Sequence, residues 1–303
     1  MLWSTSWSHE SIQERSNAVF KQLDLFTKLS VSWLTLVLLM VVFGPLLPLA
    51  SPTDFDLMAM GQGAFKSWNH VLGTDMNGYD LLSNVVKGAR PSVLISLISV
   101  GVGAFFGSAI GIIAAYKRGK FDYVVSTLFN VVLSVPNLVL SLALVAVLAT
   151  NPDPNIMVPT SRRIFVIIIS LTIVIIPILG RIARGATLTW ANRDFIVAAR
   201  SMGMKDSKII LKHVVPNVMP AIYAVGFLAI GVVIVVEGSL SLLGVGIVDG
   251  VSWGSMIARV RGDLEYAPHS MIIPVTVLAL TVISCNQIGD VLRNRLDSRE
   301  GRL

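Results

Sequence analysis

The sequence predicts an all-α polytopic membrane protein with six transmembrane helices, and three observations support this class. Of its 303 residues, 54% are hydrophobic and only 14% are charged, whereas a soluble domain carries about 25% charged residues. The charged residues gather in short patches that alternate with long apolar stretches. These stretches have the length of helices that cross a hydrocarbon core of about 30 Å, and they lack the ten-residue alternation of a membrane β-barrel.

The long apolar stretches define the predicted spans. A helix needs roughly 20 apolar residues to cross the bilayer, and it satisfies its own backbone hydrogen bonds there. The first stretch follows a polar head and ends in three prolines without a small-residue cleavage site, so we expect it to be retained rather than removed as a signal peptide. The six predicted spans are 31–50, 92–116, 123–150, 164–180, 214–236 and 270–289.

The distribution of Lys and Arg predicts that both termini are cytoplasmic. Positive residues in short loops remain on the cytoplasmic side of a membrane. With the N-terminus inside, 17 of the 24 Lys and Arg fall on inside segments and seven on outside segments. The net charge of +6 therefore reflects membrane topology. No basic stripe interleaved with aromatic residues indicates a nucleic-acid partner.

Three parts follow from these spans: residues 1–50 hold a cytoplasmic head and the first transmembrane helix, 51–91 form an extracytoplasmic segment, and 92–303 form the membrane core. In the outer segment, Gly73 and Gly78 predict turns, and Asp80 is a candidate N-cap of a short helix. Within the core, Gly103, Gly107 and Gly111 recur every four residues, which is typical of close helix packing in membranes.

Two of the prolines that fall inside predicted spans are candidates for a break in the helix. Pro136 lies in the third span and Pro177 near the end of the fourth. Each lacks a backbone donor and disfavours a straight helix. Two interpretations stay open, namely a break that lines a cavity and a simple kink that neighbouring helices tolerate.

The longest inside connection, residues 181–217, contains a two-part charged segment. Its composition predicts a helix from Trp190 to Met202 with an apolar face that includes Phe195. Gly203 then ends the helix in a left-handed conformation, Asp206 is a candidate N-cap for a second short helix, and Pro216 separates that helix from the fifth span. The segment is either an element that another protein grips or a solvated amphipathic loop.

The spacing of this segment resembles the cytoplasmic loop of ATP-binding-cassette importer permeases. Ala198-Ala199, Gly203 and His213 stand at the family's intervals, followed by Pro216-Asn217. Val197 replaces the family's acid, and His213 and Val215 replace its Ile and Leu. Further matching landmarks are His70-x-Leu72-Gly73-Thr74-Asp75, Gly88-Ala89-Arg90, Phe121-Asp122, Ser134-x-Pro136, Arg181-x-x-Arg184-Gly185, Glu237-x-x-Leu240-Ser241-x-Leu243-Gly244-x-Gly246, Trp253-Gly254 and Gly289-Asp290.

From residue 70 to 296 the chain is similar to the C-type permease subunit of dipeptide and oligopeptide (Dpp/Opp) importers. Tyr79 stands where that family usually has Arg, and Ser298 where it often has Pro. The resemblance implies the transmembrane domain of a type I ABC importer in the cell membrane of a prokaryote. The expected partners are a second homologous permease, one or two ATP-binding subunits, an extracytoplasmic peptide-binding protein and the lipid bilayer.

The resemblance also makes residues 181–217 a coupling loop that contacts the ATP-binding subunit. No G-x-x-x-x-G-K-[ST] run occurs in the sequence, so we expect ATP and Mg to bind on partner subunits and no cofactor to bind this chain. The predicted coupling residues are Ala198, Ala199, Met202, Gly203, Met204, Lys205, Asp206, His213 and Pro216.

Glu237 is an acid embedded where the fifth predicted span ends. Ionisable groups within membranes are costly, so Glu237 is a candidate for the substrate path or the outer mouth. A structural contact at a helix end is the other interpretation, and both stay open. Ser241, Leu243 and Gly244 follow it in an apolar run that we expect to re-enter the protein. We expect structural roles on the outer face for Asp75, Asp80 and Arg90.

Other classes of protein fit less well. The four histidines lie outside the predicted spans and no nucleophile is paired with them, so we predict no enzyme, no catalytic residue and no metal site. The single cysteine, Cys285, falls within the sixth span and provides no disulfide framework. An ion-coupled secondary transporter, or an importer of nickel or another small solute, remains the alternative.

Overall fold

The computed structural model describes residues 24–149, 158–247 and 250–300. Within those ranges it is built from α-helices and contains only two isolated β-bridges. Short 3-10 turns occupy Gly44–Leu46 and Leu57–Ala59, and a π turn occupies Ile210–Val214. The helices are α1 (Leu25–Phe43), α2 (Leu81–Lys117), α3 (Gly119–Leu133), α4 (Asn137–Leu148), α5 (Thr160–Trp190), α6 (Asp194–Ser201), α7 (Asp206–Ile209), α8 (Val215–Leu242), α9 (Trp253–Arg259) and α10 (Pro268–Glu300).

The number of spans agrees with the prediction when one bent pair is counted as a span. Five helical segments of the described chain are long and apolar enough to cross a membrane, and α3 with α4 forms a sixth that is bent by 85°. The third span, predicted from 123 to 150, is therefore divided into two helices, as expected from a proline that disfavours a straight helix. The break lies at residues 134–136, because Pro136 lacks a donor and pushes the residue before it out of helical geometry. Pro177, in contrast, lies inside the continuous helix α5.

Helix α2 begins well before the predicted start of the second span. The predicted short outer helix is its first turns, and Pro91 lies inside it rather than in the outer segment. Asp80 is the N-cap as predicted, since its Oδ2 accepts a hydrogen bond of 2.7 Å from the Ser83 amide. Because the helix continues directly from this cap, the outer segment and the second span are mechanically joined.

The fifth span also begins earlier than predicted. Helix α7, the π turn and α8 form one continuous helical segment from Asp206 to Leu242. The prediction that Pro216 ends a short helix is therefore wrong. Pro216 lies in the first turn of α8, directly after the π turn.

The glycine stripe on α2 packs against α5, as its spacing predicts. A Cβ atom on Gly107 would lie 2.4 Å from the Ile176 carbonyl oxygen, and one on Gly111 would lie 2.2 Å from the Gly180 carbonyl oxygen. Any larger residue would force the two backbones apart. Without a hydrophobic drive between helices in lipid, this close approach supplies much of their association.

The buried core extends along α2, α5 and α8. One cluster joins these helices to α4, a second joins α2 and α8 to α1, α9 and α10, and a third surrounds the segment between α5 and α8. In the predicted outer segment, Gly73 and Gly78 have φ of 81° and 82°, as expected for turns. Added Cβ atoms there would lie 2.2 Å and 2.4 Å from the carbonyl oxygens of Gln62 and Asp56.

Candidate functional site

The chain between α5 and α8 folds into a helix, a glycine turn and a second helix. Gly203 has φ of 80°, which glycine adopts without steric cost. Its amide donates to the Arg200 carbonyl at 2.9 Å, and the Met204 amide donates to the Ala199 carbonyl at 3.1 Å. The predicted first helix is too long, because Trp190 ends α5 and α6 begins only at Asp194. We call residues 194–209 the helix-turn element.

Apolar side chains attach the helix-turn element to the ends of two spans. Ile196, Ala199 and Ile209 are buried and share a cluster with Tyr116 of α2 and Ala183 of α5. One side of the element is thus part of the protein core. The predicted apolar face of α6 is divided, since Ala199 is buried but Phe195 and Met202 are exposed.

A polar cluster clamps the two helices of the element to α2. The Tyr116 hydroxyl donates to Asp206 Oδ1 at 2.7 Å and accepts from Arg200 Nη2 at 2.9 Å. The Arg200 guanidinium carbon also lies 5.3 Å from the centre of the Tyr116 ring. Asp206 is not the N-cap that the sequence predicts, because Lys205 occupies that position without a side-chain cap. We call Tyr116, Arg200 and Asp206 the tyrosine clamp.

A second ion pair holds the same end of α5 to α3. Arg184 Nε lies 2.6 Å from Asp122 Oδ1, and its Nη2 lies 2.7 Å from Oδ2. Such a bidentate pair fixes orientation as well as distance. Arg118 also donates to the Asn192 side chain. The helix-turn element therefore rests on a braced platform formed by α2, α3 and α5.

The outward side of the element is exposed and partly apolar. Met202 and Val197 are 77% and 56% exposed, and Ala198 and Gly203 are exposed beside them. A groove of about 850 Å³ runs next to them and is lined by charged and polar side chains that include Lys205. An exposed apolar tip beside a polar groove is typical of a surface that binds another protein.

The remaining predicted coupling residues lie close by but outside this surface. The His213 ring lies 6.3 Å from the Phe195 ring, and His213 belongs to the π turn. Pro216 is exposed on the first turn of α8. The structure thus brings His213 against the helix-turn element and leaves Pro216 on the adjoining helix.

In the predicted outer segment, Asp75 and Asp80 each make a different side-chain contact. Asp75 is fully buried, its Oδ2 lies 3.0 Å from Arg259 Nε, and its Oδ1 accepts from the Tyr79 amide at 3.0 Å. The Arg259 guanidinium lies 4.1 Å from the centre of the Tyr79 ring. Asp80 Oδ1 lies 3.1 Å from His70 Nδ1. Arg90 is exposed and makes no hydrogen bond or ion pair within the described ranges.

Glu237 lies inside the protein rather than at a helix end. Helix α8 continues five residues further, to Leu242, which corrects the sequence prediction, and Glu237 is only 1% exposed. Its Oε1 accepts from the Ser241 hydroxyl at 3.2 Å and from the Ser252 hydroxyl at 2.8 Å. Ser252 caps α9, so these contacts fasten that short helix to the span.

The apolar run after Glu237 is partly helix and partly a turn. Gly244 has φ of 83°, and its amide donates to the Ser241 carbonyl at 3.0 Å. Leu243 is 53% exposed. Ser241, Leu243 and Gly244 together line a groove of about 650 Å³ that also contains Arg261. Three of the four predicted outer-mouth residues are thus adjacent, and Glu237 lies behind them.

Sequence reasoning missed several residues that organise these sites. Three of them pair with residues that lie far away in the sequence, so no local spacing reveals the pairing; they are Tyr116, Arg259 and Ser252. Trp253 is fully buried, and its indole N–H donates to the Val85 carbonyl at 2.9 Å. The Trp253-Gly254 pair is visible in the sequence as a landmark, but its packing is not. No group of three metal-ligating side chains occurs within the described residues.

Comparison with known proteins finds similar chains among membrane permeases. Residues 107–302 match the family model described as "Binding-protein-dependent transport system inner membrane component". The chain is 32% identical over 284 residues to the dipeptide transport system permease protein DppC of Alkalihalophilus pseudofirmus, covering 92% of this chain and 88% of that protein. It is 31% identical over 255 residues to the glutathione transport system permease protein GsiD of Pectobacterium atrosepticum, covering 84% and 80%.

A solved structure shares the fold at lower sequence identity. An inward-facing form of the MetNI methionine ABC transporter aligns with a TM-score of 0.57 and 18% identity, covering 71% of this chain and 97% of that one. At that identity the likeness concerns the fold alone. It agrees with the all-helical membrane class that the sequence predicts.

Proposed function

The chain belongs to the family of binding-protein-dependent transport system inner membrane components, and from this membership we propose that it is a permease subunit of an ATP-driven importer of di- or oligopeptides. It is a multi-pass protein of a prokaryotic cell membrane. In the proposed assembly it forms half of the translocation path. A second homologous permease forms the other half, and an extracytoplasmic peptide-binding protein delivers the substrate.

The helix-turn element is the observation that carries this proposal. Coupling demands a stiff connection, because a mobile loop would absorb a partner's motion and transmit no free-energy difference between conformations. Met202 and Gly203 are exposed for contact, while Ile196 and the tyrosine clamp attach the other side to the spans. In our proposal an ATP-binding subunit grips the exposed side, and its closure tilts α2 and α8.

ATP hydrolysis belongs to the partner subunits in this proposal. The chain has no phosphate-binding loop sequence, so the ATP-binding subunits would supply the site for ATP and Mg. One or two different ATP-binding chains complete the assembly. The contribution of this chain is mechanical, through the coupling residues at positions 198–206 and the adjoining His213 and Pro216.

The proposed substrate class rests on the relatives. The similar proteins are named for dipeptide and glutathione transport, and both substrates are short peptides. An importer of nickel or another small solute is the competing specificity within the same family. Competition of unlabelled peptides, glutathione and nickel against uptake of a labelled dipeptide by the reconstituted complex separates these possibilities.

The first experiment is purification of the tagged chain from its own membranes in mild detergent. We expect mass spectrometry to identify a second permease of the same family and at least one ATPase with a Walker A sequence. We also expect peptide-stimulated ATP hydrolysis that vanadate inhibits. A chain recovered alone that moves solute in liposomes without ATP, and stops when a protonophore is added, would instead establish the secondary transporter.

Two matched variants test the helix-turn element itself. Gly203 and Gly119 have φ of 80° and 65°, and an added Cβ atom meets nothing within 4 Å at either position. Gly203→Leu and Gly119→Leu therefore impose a similar backbone cost, about 1–2 kcal/mol. We expect both proteins to insert, but only Gly203→Leu to lose peptide uptake. Normal uptake by Gly203→Leu would refute the coupling role.

A further inference from the structure

The groove beside the helix-turn element is strongly positive. It has a volume of about 850 Å³, and its lining includes four cationic side chains and one acid. That acid, Asp206, already accepts from the Tyr116 hydroxyl and lies 3.8 Å from Arg200. The other cations form no ion pair within the described residues, so the lining keeps an excess of three positive charges. The four cations are Lys117, Arg118, Arg200 and Lys205.

This charge separates the groove from the exposed tip of the helix-turn element. Charged residues are depleted at the centre of protein interfaces, where Met and aromatic residues are enriched. The exposed Met202 at the tip fits that description, whereas the groove does not. Cations held close together repel each other unless an anion lies between them. The tip is therefore suited to a protein partner and the groove to an anionic group.

Arg118 lines the groove from a backbone conformation that glycine favours. Its φ is 57° and its ψ is −167°, which is costly for a residue with a Cβ atom. Its guanidinium also donates to the side chain of Asn192, another lining residue. Strained residues of this kind cluster at ligand clamps. The chain thus places a cation at the groove despite a backbone cost that glycine would avoid.

The groove opens at the level of the lipid headgroups. The exposed apolar surface of α3 begins at Phe121, Tyr123 and Val124, which are 48%, 74% and 53% exposed. Arg118 precedes Val124 by six residues, or about 9 Å along a helix. The headgroup layer adds about 5–8 Å to each side of the hydrocarbon core, and aromatic residues are enriched there. Lys117 Nζ lies 5.9 Å from the centre of the Phe121 ring, so the groove adjoins this apolar surface.

We propose that the groove binds the phosphate of an anionic phospholipid headgroup. Lys117 and Arg118 hold it from the end of α2, and Lys205 holds it from the helix-turn element. Arg matches phosphate oxygens with paired donors, and basic pockets at the cytoplasmic ends of spans bind anionic lipids. The acyl chains lie along the exposed apolar surface of α3.

The bound phosphate acts as a further brace between α2 and the helix-turn element. It bridges cations from both sides of the groove, so it opposes detachment of the element from the spans. Binding itself depends only on the membrane fold. The effect on transport rests on the proposed function, because a stiffer element transmits more of the motion of the ATP-binding subunit.

Native mass spectrometry of the purified complex in detergent measures the binding, with phosphatidylglycerol as the probe. Detergent removes the general attraction of a charged membrane, so the groove contacts decide the affinity. Lys120→Gln is the matched control, because Lys120 is exposed two residues after Arg118 but does not line the groove. One cation beside a lipid phosphate contributes about fivefold in affinity. We expect about fivefold weaker binding in Arg118→Gln and wild-type binding in Lys120→Gln.

Competitors identify the chemistry of the ligand. We expect neither phosphatidylcholine nor inorganic phosphate to displace phosphatidylglycerol at equal concentration, because the first lacks net charge and the second lacks acyl chains. Equal binding in all three proteins, or displacement by inorganic phosphate, would overturn the inference. A carbodiimide crosslink from Lys117 to a carboxylate of the ATP-binding subunit would also overturn it, since protein would then fill the groove.

Transport in vesicles gives a second measurement. We expect the peptide transported per ATP to increase when phosphatidylglycerol is added to phosphatidylcholine vesicles, both in the wild type and in Lys120→Gln. Arg118→Gln should show about fivefold less sensitivity to the added lipid. Equal stimulation of all three proteins would refute the brace. If phosphatidylglycerol binds in the groove but no ATP-driven peptide uptake occurs, the proposed function fails and the lipid site stands.

Discussion

Removing one oxygen atom, in Tyr116→Phe, tests whether the tyrosine clamp holds the helix-turn element to α2. The hydroxyl makes hydrogen bonds of 2.7 Å to Asp206 and 2.9 Å with Arg200. Hydrogen bonds to charged groups contribute about 1.5–3 kcal/mol each when they are protected from water. Arg200 and Asp206 are 60% and 67% exposed, so solvent screening reduces this to about 0.5–1 kcal/mol each.

The total of about 1–2 kcal/mol corresponds to a five- to thirtyfold larger population of the undocked state, in which the helix-turn element has detached from α2. Hydrogen exchange measures this shift directly, because the amides of α6 and of the Gly203 turn exchange when the element detaches. We expect their exchange to accelerate about five- to thirtyfold in Tyr116→Phe. In the complex we expect ATP hydrolysis to continue while the peptide transported per ATP falls.

Tyr123→Phe is the matched control. Tyr123 is 74% exposed on α3, and its hydroxyl makes no hydrogen bond within the described residues. The same chemical change there should alter neither exchange nor transport. If Tyr116→Phe exchanged at the wild-type rate, the tyrosine clamp would contribute nothing to docking, and the stiff connection proposed for coupling would not depend on it.

Three further predictions concern the packing of the spans and the outer contacts. In Gly107→Leu the added Cβ atom alone would lie 2.4 Å from the Ile176 carbonyl oxygen, so we expect about 1–3 kcal/mol of destabilisation and a lower melting temperature in detergent. An added Cβ atom at Gly185 meets nothing within 4 Å, so we expect Gly185→Leu to melt close to the wild-type temperature. Asp122→Asn removes the charge that pairs with Arg184, so we expect the free energy of unfolding to fall by about 1–3 kcal/mol. An unchanged melting temperature would show that the pair does not contribute to stability. Glu237→Ala leaves two buried serine hydroxyls without their acceptor, so we expect α9 to become sensitive to externally added protease, and continued resistance would refute the fastening role.

The fold class was predictable because it depends on composition and length. Long uncharged stretches identify spans whatever their tertiary contacts, and the stripe of Gly103, Gly107 and Gly111 predicted a helix contact that the structure contains. The bend at Pro136 was predictable in place but not in size. A proline removes a donor wherever it occurs, but the neighbouring helices determine the angle that results, as the unbroken helix at Pro177 illustrates.

The helix-turn element was predictable in outline, but the predicted details were wrong. A glycine that follows a helical pattern predicts a turn without any knowledge of the fold, so the turn at Gly203 was predictable. The role of Asp206 was not, because the competing partner Tyr116 lies 90 residues away. The same reason hid the contact between Arg259 and Asp75, whose residues meet only after the outer segment folds onto α9. Local patterns specify helices and turns, whereas side-chain pairing across the chain requires the fold.

The bend between α3 and α4 affects how the chain meets the lipid bilayer. Residues 134–136 are exposed on the surface of the chain, near the middle of a predicted span. Lipid tails cannot satisfy the backbone groups that a broken helix leaves open. The bend therefore places exposed, non-helical backbone at the depth of the hydrocarbon core, where it needs cover from protein or from water. We expect the membrane around an isolated chain to be perturbed most at this point.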